Sequence, residues 1–255
     1  MILVLGGTSD SLKVCEKLNQ LNQEYILSVT TNYGLELAKK HTKNIIVDRL
    51  TLDKMTKFIK DNDIDMIIDS THPYAVEVSK NAIQCSDDTK TEYIRYERKS
   101  LLEDIEYDKS YVVNTLEEAC ELANKIGNNI FLSTGSKNLS QIVEKIGHKN
   151  LIARVLPTSD VIISCEKLGF SAENIIAMKG PFSTQINKEF YQHYNIDLVI
   201  TKESGTEGGF LEKIDSCKDM NIPIIIISRH NIQYPNVMQD IKKLENKIIG
   251  GNKYE

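Results

Sequence analysis

Short apolar runs alternate with amphipathic stretches along nearly the whole chain of 255 residues. The first run, Ile2–Leu5, is followed by apolar residues at helical spacing, and the pattern repeats through Tyr25–Thr30, Asn44–Asp48, Asp65–Ser70 and Glu92–Tyr96. Strands that alternate with helices in this way form parallel sheets covered by helices on both faces. The predicted fold class is therefore α/β with doubly wound parallel sheets.

An acidic connector at residues 102–110 interrupts this rhythm, which then restarts and continues toward the C-terminal end. We therefore predict two Rossmann-like domains, residues 1–105 and 106–255, with an interdomain cleft. One continuous sheet is the alternative. The sequence also predicts a helix whose first residue is Pro73 and a last helix over Val237–Ile249.

Composition excludes several classes of function. The net charge of −5 gives no general attraction to nucleic acid. No apolar stretch is long enough to cross a bilayer, and the first residues lack the basic start of a signal peptide, so we expect a cytoplasmic protein. The five cysteines form no CxxC pair and the five histidines are scattered, which predicts buried thiols and no metal site.

The first predicted strand ends in a turn of small residues that opens a helix. Such a turn lets the backbone approach a pyrophosphate, which the N–H groups of the helix N-terminus then bind. We predict that Gly6, Gly7, Thr8 and Ser9 bind a dinucleotide cofactor. The pattern is not a full GxGxxG, and a tight turn without a ligand is the alternative.

The second predicted strand ends in Thr30 and Thr31, where many dinucleotide-binding domains have an acid for the ribose 2′-OH. The absence of an acid disfavours NAD and permits a 2′-phosphate, so NADPH is the predicted cofactor and both threonines are candidate contacts. No arginine is close in sequence to hold that phosphate. The alternative is that the threonines only cap a helix.

A polar cluster follows the fourth predicted strand. Ser70 and Thr71 are candidate cofactor contacts, and His72 and Tyr74 are candidate catalytic residues, because ligands of open parallel sheets bind beyond the carboxyl ends of the strands.

Cations recur near the ends of successive later strands, although the whole chain is acidic. Clustered cations at a cleft attract a ligand with several carboxylates or phosphates, so we predict a polyanionic small substrate. The cations are Arg95, Lys137, Arg154, Lys179, Lys202 and Arg229.

Two glycine-containing loops in the second half complete the predicted substrate site. Their hydroxyl and backbone groups suit contacts to carboxylates or phosphates, although the glycines of the longer loop, residues 202–210, also fit a simple turn. The further candidate substrate contacts in the two loops are Ser133, Thr134, Gly135, Ser136, Glu203, Ser204 and Gly205.

Taken together and in order, these segments resemble the precorrin-6A reductase family, including its cobalt-precorrin-6A form. The matching segments are GGTSDS at residues 6–11, DSTHPYA at 69–75, YIRYER at 93–98, STGSKNL at 133–139, ARVLP at 153–157, MKGPFS at 178–183 and TKESGTEGGF at 201–210.

The resemblance implies an NADPH-dependent enzyme that reduces one double bond of a tetrapyrrole macrocycle with many carboxylate arms, in cobalamin biosynthesis. It implies an NADPH-binding first domain and a second domain that contributes the substrate cleft. The hydride comes from NADPH, and the proton comes from water or from an acid such as His72, Tyr74 or Lys202. The other candidate cations then hold substrate carboxylates.

Three alternatives remain open on sequence alone. Another NAD(P)-dependent oxidoreductase of a polyanionic substrate is one, although the Tyr-x-x-x-Lys pair of short-chain dehydrogenases is absent, since Val78 stands four residues after Tyr74. A non-catalytic nucleotide-binding regulatory module is the second. A cofactor-free tetrapyrrole enzyme such as uroporphyrinogen-III synthase is the third, and the glycine turn disfavours it.

Overall fold

Strands and helices alternate through the computed structural model, which describes residues 1–147, 149–205, 208–230 and 232–251. The strands are β1 (Ile2–Leu5), β2 (Tyr25–Val29), β3 (Ile45–Val47), β4 (Met66–Asp69), β5 (Glu92–Tyr96), β6 (Ser110–Val113), β7 (Asn129–Ser133), β8 (Asn150–Val155), β9 (Ile175–Ala177), β10 (Leu198–Lys202), β11 (Ile224–Ile227) and β12 (Val237–Met238). The helices are α1 (Ser9–Gln20), α2 (Asn32–Ala38), α3 (Leu52–Asp61), α4 (Val76–Thr89), α5 (Leu116–Ile126), α6 (Leu139–Ile146), α7 (Ser159–Lys167), α8 (Thr184–His193), α9 (Phe210–Met220) and α10 (Ile241–Gly251).

The chain divides into two units, and each has its own parallel sheet. The first unit comprises residues 1–99 and the segment from 230 onward, and the second comprises residues 100–229. The strand order is β12-β5-β4-β1-β2-β3 in the first sheet and β6-β11-β10-β7-β8-β9 in the second. Two separate sheets confirm the predicted doubly wound α/β class and rule out one continuous sheet.

Both sheets have the same order, and in each the chain changes direction once. The switch point lies between β1 and β4 in the first sheet and between β7 and β10 in the second. Ligands of open α/β sheets bind in the crevice beyond such a point. A ligand site is therefore expected among the residues that follow these four strands.

Apolar side chains cover both faces of the first sheet. Val4, Leu27 and Ile68 pack on one face with residues of α1 and α10, and Leu3 and Ile67 pack on the other with residues of α3 and α4. A strand buried on both faces has to be apolar throughout, which explains the unbroken run in β1. All five cysteines are buried and free, as predicted, and no helix within the described ranges is long and apolar enough to span a membrane.

The C-terminal segment corrects the predicted domain boundaries. Instead of one helix over Val237–Ile249 in the second domain, residues 237–238 form the edge strand β12, which pairs with β5 of the first sheet, and α10 follows it. Leu244 and Ile248 of α10 are buried in the core of the first unit. Because these apolar side chains are buried there, α10 belongs to the first unit. This unit therefore consists of two segments of the chain, one before and one after the second unit.

The same edge position is filled differently in the two sheets. β6 directly follows β5 in the chain, yet it pairs with β11 at the edge of the second sheet, whereas β12 follows β11 and pairs with β5. Thus β6, which follows the last strand of the N-terminal segment, completes the second sheet. In the same way β12, which follows the last strand of the second sheet, completes the first.

Candidate active site

The turn after β1 has the shape that a phosphate-binding turn requires. A Cβ added at Gly6 would lie 2.6 Å from Leu27 Cδ1 and 3.0 Å from Ser11 Oγ, and Gly7 has a φ of +106°. Glycine is therefore needed at the first position for close approach and at the second for backbone conformation. The N–H groups of Gly7 and Thr8 both donate to Ser11 Oγ at 3.2 Å, which fixes the turn on the first residues of α1.

Thr8 ties this turn to the loop after β4. Its hydroxyl accepts from Ser11 N at 3.1 Å as the N-cap of α1 and donates to the carbonyl of Ser70 at 2.7 Å. The Ser70 Oγ is buried and has no hydrogen-bond partner among the described residues. A buried hydroxyl without a partner beside a glycine turn at the switch point fits a phosphate or ribose ligand. Gly6, Gly7, Thr8, Ser9 and Ser70 are thus brought to one edge of the sheet.

Asp10 places a carboxylate close to the glycine turn after β1. It lies in the first turn of α1 and forms an ion pair with Arg98 at 3.0 Å. A carboxylate at the mouth of a phosphate site would repel the ligand, and this guanidinium offsets its charge. Arg98, which follows β5, is thereby brought close to the glycine turn after β1 although it is distant from it in sequence.

The threonines after β2 are on the surface. Thr31 is the N-cap of α2 and its hydroxyl accepts from Gly34 N at 3.0 Å, which is the capping role considered as the alternative. Thr30 is exposed at the strand end. A role for either in binding a 2′-phosphate stays a prediction.

Arg95 does not have the predicted role of a substrate ligand. It is 0% exposed, and its guanidinium donates to Asp69 Oδ1 at 2.8 Å, to the Thr71 carbonyl at 3.0 Å and to Glu97 Oε2 at 2.8 Å. The ring of Tyr234 covers it at 5.1 Å. This guanidinium is fully buried and its charge is already balanced by Asp69 and Glu97, so the predicted role as a substrate ligand was wrong.

Asp69 is the centre of this buried network. Its carboxylate accepts from Thr71 Oγ1 at 2.7 Å, Ser79 Oγ at 2.6 Å and Tyr93 OH at 2.8 Å in addition to Arg95. Burial and the negative charge of Asp69 raise the pKa of Tyr93. The Thr71 hydroxyl is used inside the protein, which argues against its predicted contact with the cofactor. The network instead fixes the backbone of the loop that follows.

The loop after β4 presents a small aromatic cluster. His72 and Tyr74 have ring centroids 5.4 Å apart, and the ring of Tyr74 meets that of His230 edge-on at 5.9 Å. Contrary to the prediction, α4 does not start at Pro73, because residues 72–75 form a turn closed by a 2.7 Å hydrogen bond from Ala75 N to the carbonyl of His72. This turn keeps both candidate catalytic rings outside the helix. The sequence alone gave no signal for His230.

In the second unit, the loop after β7 is open to a ligand. Gly135 has a φ of +79°, nothing lies within 4 Å of a Cβ added there, and Lys137 is exposed. Thr134 Oγ1 is buried without a hydrogen-bond partner in the part of the chain that the structure describes, whereas the Ser133 hydroxyl is 3.2 Å from that of Thr201. Thr134, Gly135, Ser136 and Lys137 thus remain candidates for binding an anion.

Lys202 ends β10 beside this loop. Its ammonium donates to Asn138 Oδ1 at 2.6 Å, and burial, with a smaller contribution from the charge of Lys137, lowers its pKa to about 8. An amine with a pKa close to the working pH can give up a proton and recover it. This favours Lys202 as a candidate acid.

The loop after β10 is mostly engaged with its own unit. Glu203 is 1% exposed and forms an ion pair with Arg229 at 3.0 Å, and the Ser204 hydroxyl accepts from Lys213 at 3.2 Å. Gly205 has a φ of +67° and permits the turn. Thr206 and Glu207 of the same motif lie outside the described residues. Substrate contacts by Glu203, Ser204, Gly205 and Arg229 remain untested predictions.

Arg154 and Lys179 differ in environment. Arg154, near the end of β8, is 7% exposed, donates to Asn187 Oδ1 at 2.7 Å and is stacked under Phe182 at 4.0 Å. Burial lowers its pKa to about 10. Lys179 is exposed after β9.

Sequence reasoning missed Lys213, which lies in the first turn of α9. This lysine is 5% exposed, and burial lowers its pKa to about 7.

These features define a class of protein: a doubly wound α/β protein with a nucleotide-type phosphate turn in one unit and several cations beyond the strand ends of the other. Comparisons with known proteins make the assignment more specific. The profile of the family described as "Precorrin-6x reductase CbiJ/CobK" matches residues 1–248, so the chain belongs to the precorrin-6x reductase family.

Individual relatives agree with this assignment. The chain is 39% identical over 228 residues to the cobalt-precorrin-6A reductase of Salmonella typhimurium, covering 89% of this chain and 87% of that protein. It is 36% identical over 253 residues to the protein of that name from Priestia megaterium, covering 98% of each. The solved structure of CobK precorrin-6A reductase superposes with a TM-score of 0.81 at 18% identity, over 98% of this chain and 96% of that one, which supports the fold.

Family membership confirms the resemblance noted from the sequence motifs. The chain is an oxidoreductase that acts on a CH–CH group of the precorrin-6 macrocycle in cobalamin biosynthesis. A reductase of this family requires a nucleotide cofactor. The alternatives of a regulatory module and a cofactor-free enzyme are thereby excluded.

Proposed function

We propose that the first unit binds NADPH and that the chain uses it to reduce one double bond of cobalt-precorrin-6A, or of precorrin-6A, in the cytoplasm. The observation that carries the cofactor assignment is the turn at Gly6 and Gly7, which Thr8 links to the backbone carbonyl of Ser70 at the switch point, where the Ser70 hydroxyl is buried without a hydrogen-bond partner among the described residues. The absence of an acid after β2 favours the 2′-phosphorylated form. Free buried thiols fit a reducing compartment.

The residues of the turn would hold the pyrophosphate, and Thr30 and Thr31 would lie toward the 2′-phosphate. NADPH supplies the hydride when it is bound. The chain contributes positioning, exclusion of water and a proton donor. With a pKa lowered by burial to about 8, Lys202 is mostly protonated at neutral pH, and it can donate its proton to a substrate carbon. His72 and Tyr74 are the other candidate donors.

The substrate has several carboxylate arms, and the second unit has groups to bind them. Lys137 and Lys179 are exposed, and Arg154 is partnered by a neutral amide rather than by a carboxylate. The donors at Thr134, Gly135 and Ser136 add hydrogen bonds to a carboxylate. Arg229 contributes by way of its ion pair with Glu203, which can reorganise when a competing carboxylate binds.

The direct test is binding and turnover under anaerobic conditions. We expect NADPH to bind at lower concentrations than NADH, as followed by the fluorescence of the nicotinamide itself because the chain has no tryptophan, and NADPH oxidation to depend on added cobalt-precorrin-6A or precorrin-6A. Comparing the two substrates also shows which one the enzyme prefers. Failure to bind either nucleotide would contradict the proposal.

Replacing a proton donor should affect turnover more than cofactor affinity. We expect His72→Ala or Lys202→Ala to lower kcat about 100-fold if the residue donates the proton, with the Kd for NADPH changed less than about twofold. The measurement is steady-state kinetics together with NADPH titration. His193→Ala, an exposed histidine on α8, is the matched control and should behave as wild type. Equal losses in kcat and in NADPH affinity would show that the residue acts in cofactor binding and is not the proton donor.

A further inference from the structure

We propose that Arg154, Asn187 and Lys213 of the second unit form a subsite that binds one carboxylate arm of the substrate. The inference rests on the proposed function for the identity of the ligand. The subsite itself rests on two buried cations without a counter-charge and on one amide donor without an acceptor. We call these three residues the Arg154 subsite.

Two cations of the Arg154 subsite are buried without an acidic partner. Arg154 donates to Asn187 Oδ1, and the rings of Phe131 and Phe182 lie 5.0 and 4.0 Å from its guanidinium carbon. Lys213 donates to Ser204 Oγ at 3.2 Å and to the Gly208 carbonyl at 3.0 Å. Within the described part of the chain, neither cation has a carboxylate at ion-pair distance. Burying a charge without a counter-charge costs several kcal/mol, so such cations call for an anion.

Two other arginines with little exposure to solvent have acidic partners. Arg95 is paired with Asp69 and Glu97, and Arg229 is paired with Glu203. For both of these side chains the protein supplies a counter-charge. At Arg154 it supplies a neutral amide instead, which leaves the positive charge uncompensated.

An unused donor lies at the same place. Asn187 is 0% exposed, and while its Oδ1 accepts from Arg154, its Nδ2 has no hydrogen-bond partner among the described residues. A buried amide donor without a partner is uncommon in native proteins. The two cations lack a counter-charge and the amide donor lacks an acceptor, and a carboxylate, with a negative charge and two oxygens, can serve all three.

Packing brings the three residues together. The ring of Phe182 covers Arg154, and a Cβ added at Gly209 would lie 3.4 Å from the Phe182 carbonyl oxygen. The neighbouring Gly208 carbonyl accepts from Lys213. The loops before α8 and α9 are therefore in contact, and they join the end of β8 to the first turn of α9.

Electrostatics agree with this proximity. After burial, the charge of Arg154 is the larger of the two charge effects on the pKa of Lys213, and it lowers that pKa. The opposing effect of Glu212, the other charged group that acts on Lys213, is smaller. An anion bound between Arg154 and Lys213 would relieve this repulsion and raise the pKa of Lys213, so binding should take up protons above neutral pH.

The test uses Lys213→Met, which keeps the length of the side chain and removes its charge. We expect the KM for cobalt-precorrin-6A to rise about 10-fold or more, with kcat and the Kd for NADPH within about twofold of wild type. Calorimetry of substrate binding at pH 8 in two buffers of different ionisation enthalpy should show proton uptake by wild type and less by the variant. Lys218→Met, an exposed lysine on the same helix, is the control and should change none of these.

A second variant keeps the inference testable if Lys213→Met does not fold. Asn187→Asp places a carboxylate beside Arg154 from within the chain. We expect it to raise the thermal midpoint by about 2–4 °C and to raise the KM as well, because the internal acid competes with the substrate. This midpoint shift does not depend on turnover, so it separates the Arg154 subsite from the proposed function. An unchanged KM in both variants, no rise in midpoint, or a selective loss of NADPH affinity would overturn the subsite.

Discussion

Replacing Arg95 with leucine should lower the free energy of unfolding by about 3–5 kcal/mol, the range found when one partner of a buried ion pair is removed. The reason is the Asp69 carboxylate, which is 0% exposed and would lose the guanidinium that lies 2.8 Å from it. Urea unfolding followed by circular dichroism gives the measurement.

Two comparisons distinguish this effect from the loss of any ion pair. Lys247→Met removes a surface pair with Glu92 in the same unit, and exposed pairs contribute less than about 1 kcal/mol. The double variant Asp69→Asn with Arg95→Leu should recover part of the stability, since position 69 then no longer carries a buried charge without its guanidinium. A loss below about 1 kcal/mol for Arg95→Leu would show that the network contributes little.

Replacing Gly6 with alanine should raise the Kd for NADPH at least about tenfold, equivalent to about 1.4 kcal/mol. The new methyl group would lie 2.6 Å from Leu27 Cδ1 and 3.0 Å from Ser11 Oγ. Leu27 is fully buried and has little room to move, so Ser11 and the turn must shift. Because Ser11 Oγ accepts from Gly7 N and Thr8 N, the shift changes the backbone that would bind the pyrophosphate.

Fluorescence titration with NADPH measures this change, with thermal unfolding as the check on folding. Gly250→Ala is the matched control, because nothing lies within 4 Å of a Cβ added there and the residue is in α10. It should leave the Kd unchanged. If Gly6→Ala also left the Kd unchanged, the turn after β1 would not be the pyrophosphate site.

The features that were predictable from the sequence are local ones. The apolar run of β1, the glycines after it and the polar residues after β4 and β7 each lie within a few positions of one another, and the rule that ligands bind beyond strand ends relates them to a site. The two sheets and the glycine turn followed from these short-range patterns.

The features that were missed depend on pairing between distant segments. Arg95 was taken as a ligand because it ends a strand, but it is aligned with Asp69 on the neighbouring strand and points into the interior. Asp69 and Arg95 are 26 positions apart, so no local pattern relates them. Lys213 is similar: its spacing is that of an ordinary helical lysine, and only the loop folded against it reveals its burial.

Because β12 and α10 of the first unit follow the whole second unit in the chain, they set the order in which the two units can be completed during synthesis. All residues of the second unit have been made once Arg229 has left the ribosome, whereas the first unit still lacks β12 and α10. The half of the molecule that is synthesised first is thus the last to be finished, and until then the exposed edge of β5 and the face of Arg95 that Tyr234 covers remain open. A fragment ending at residue 229 would stay in that state permanently.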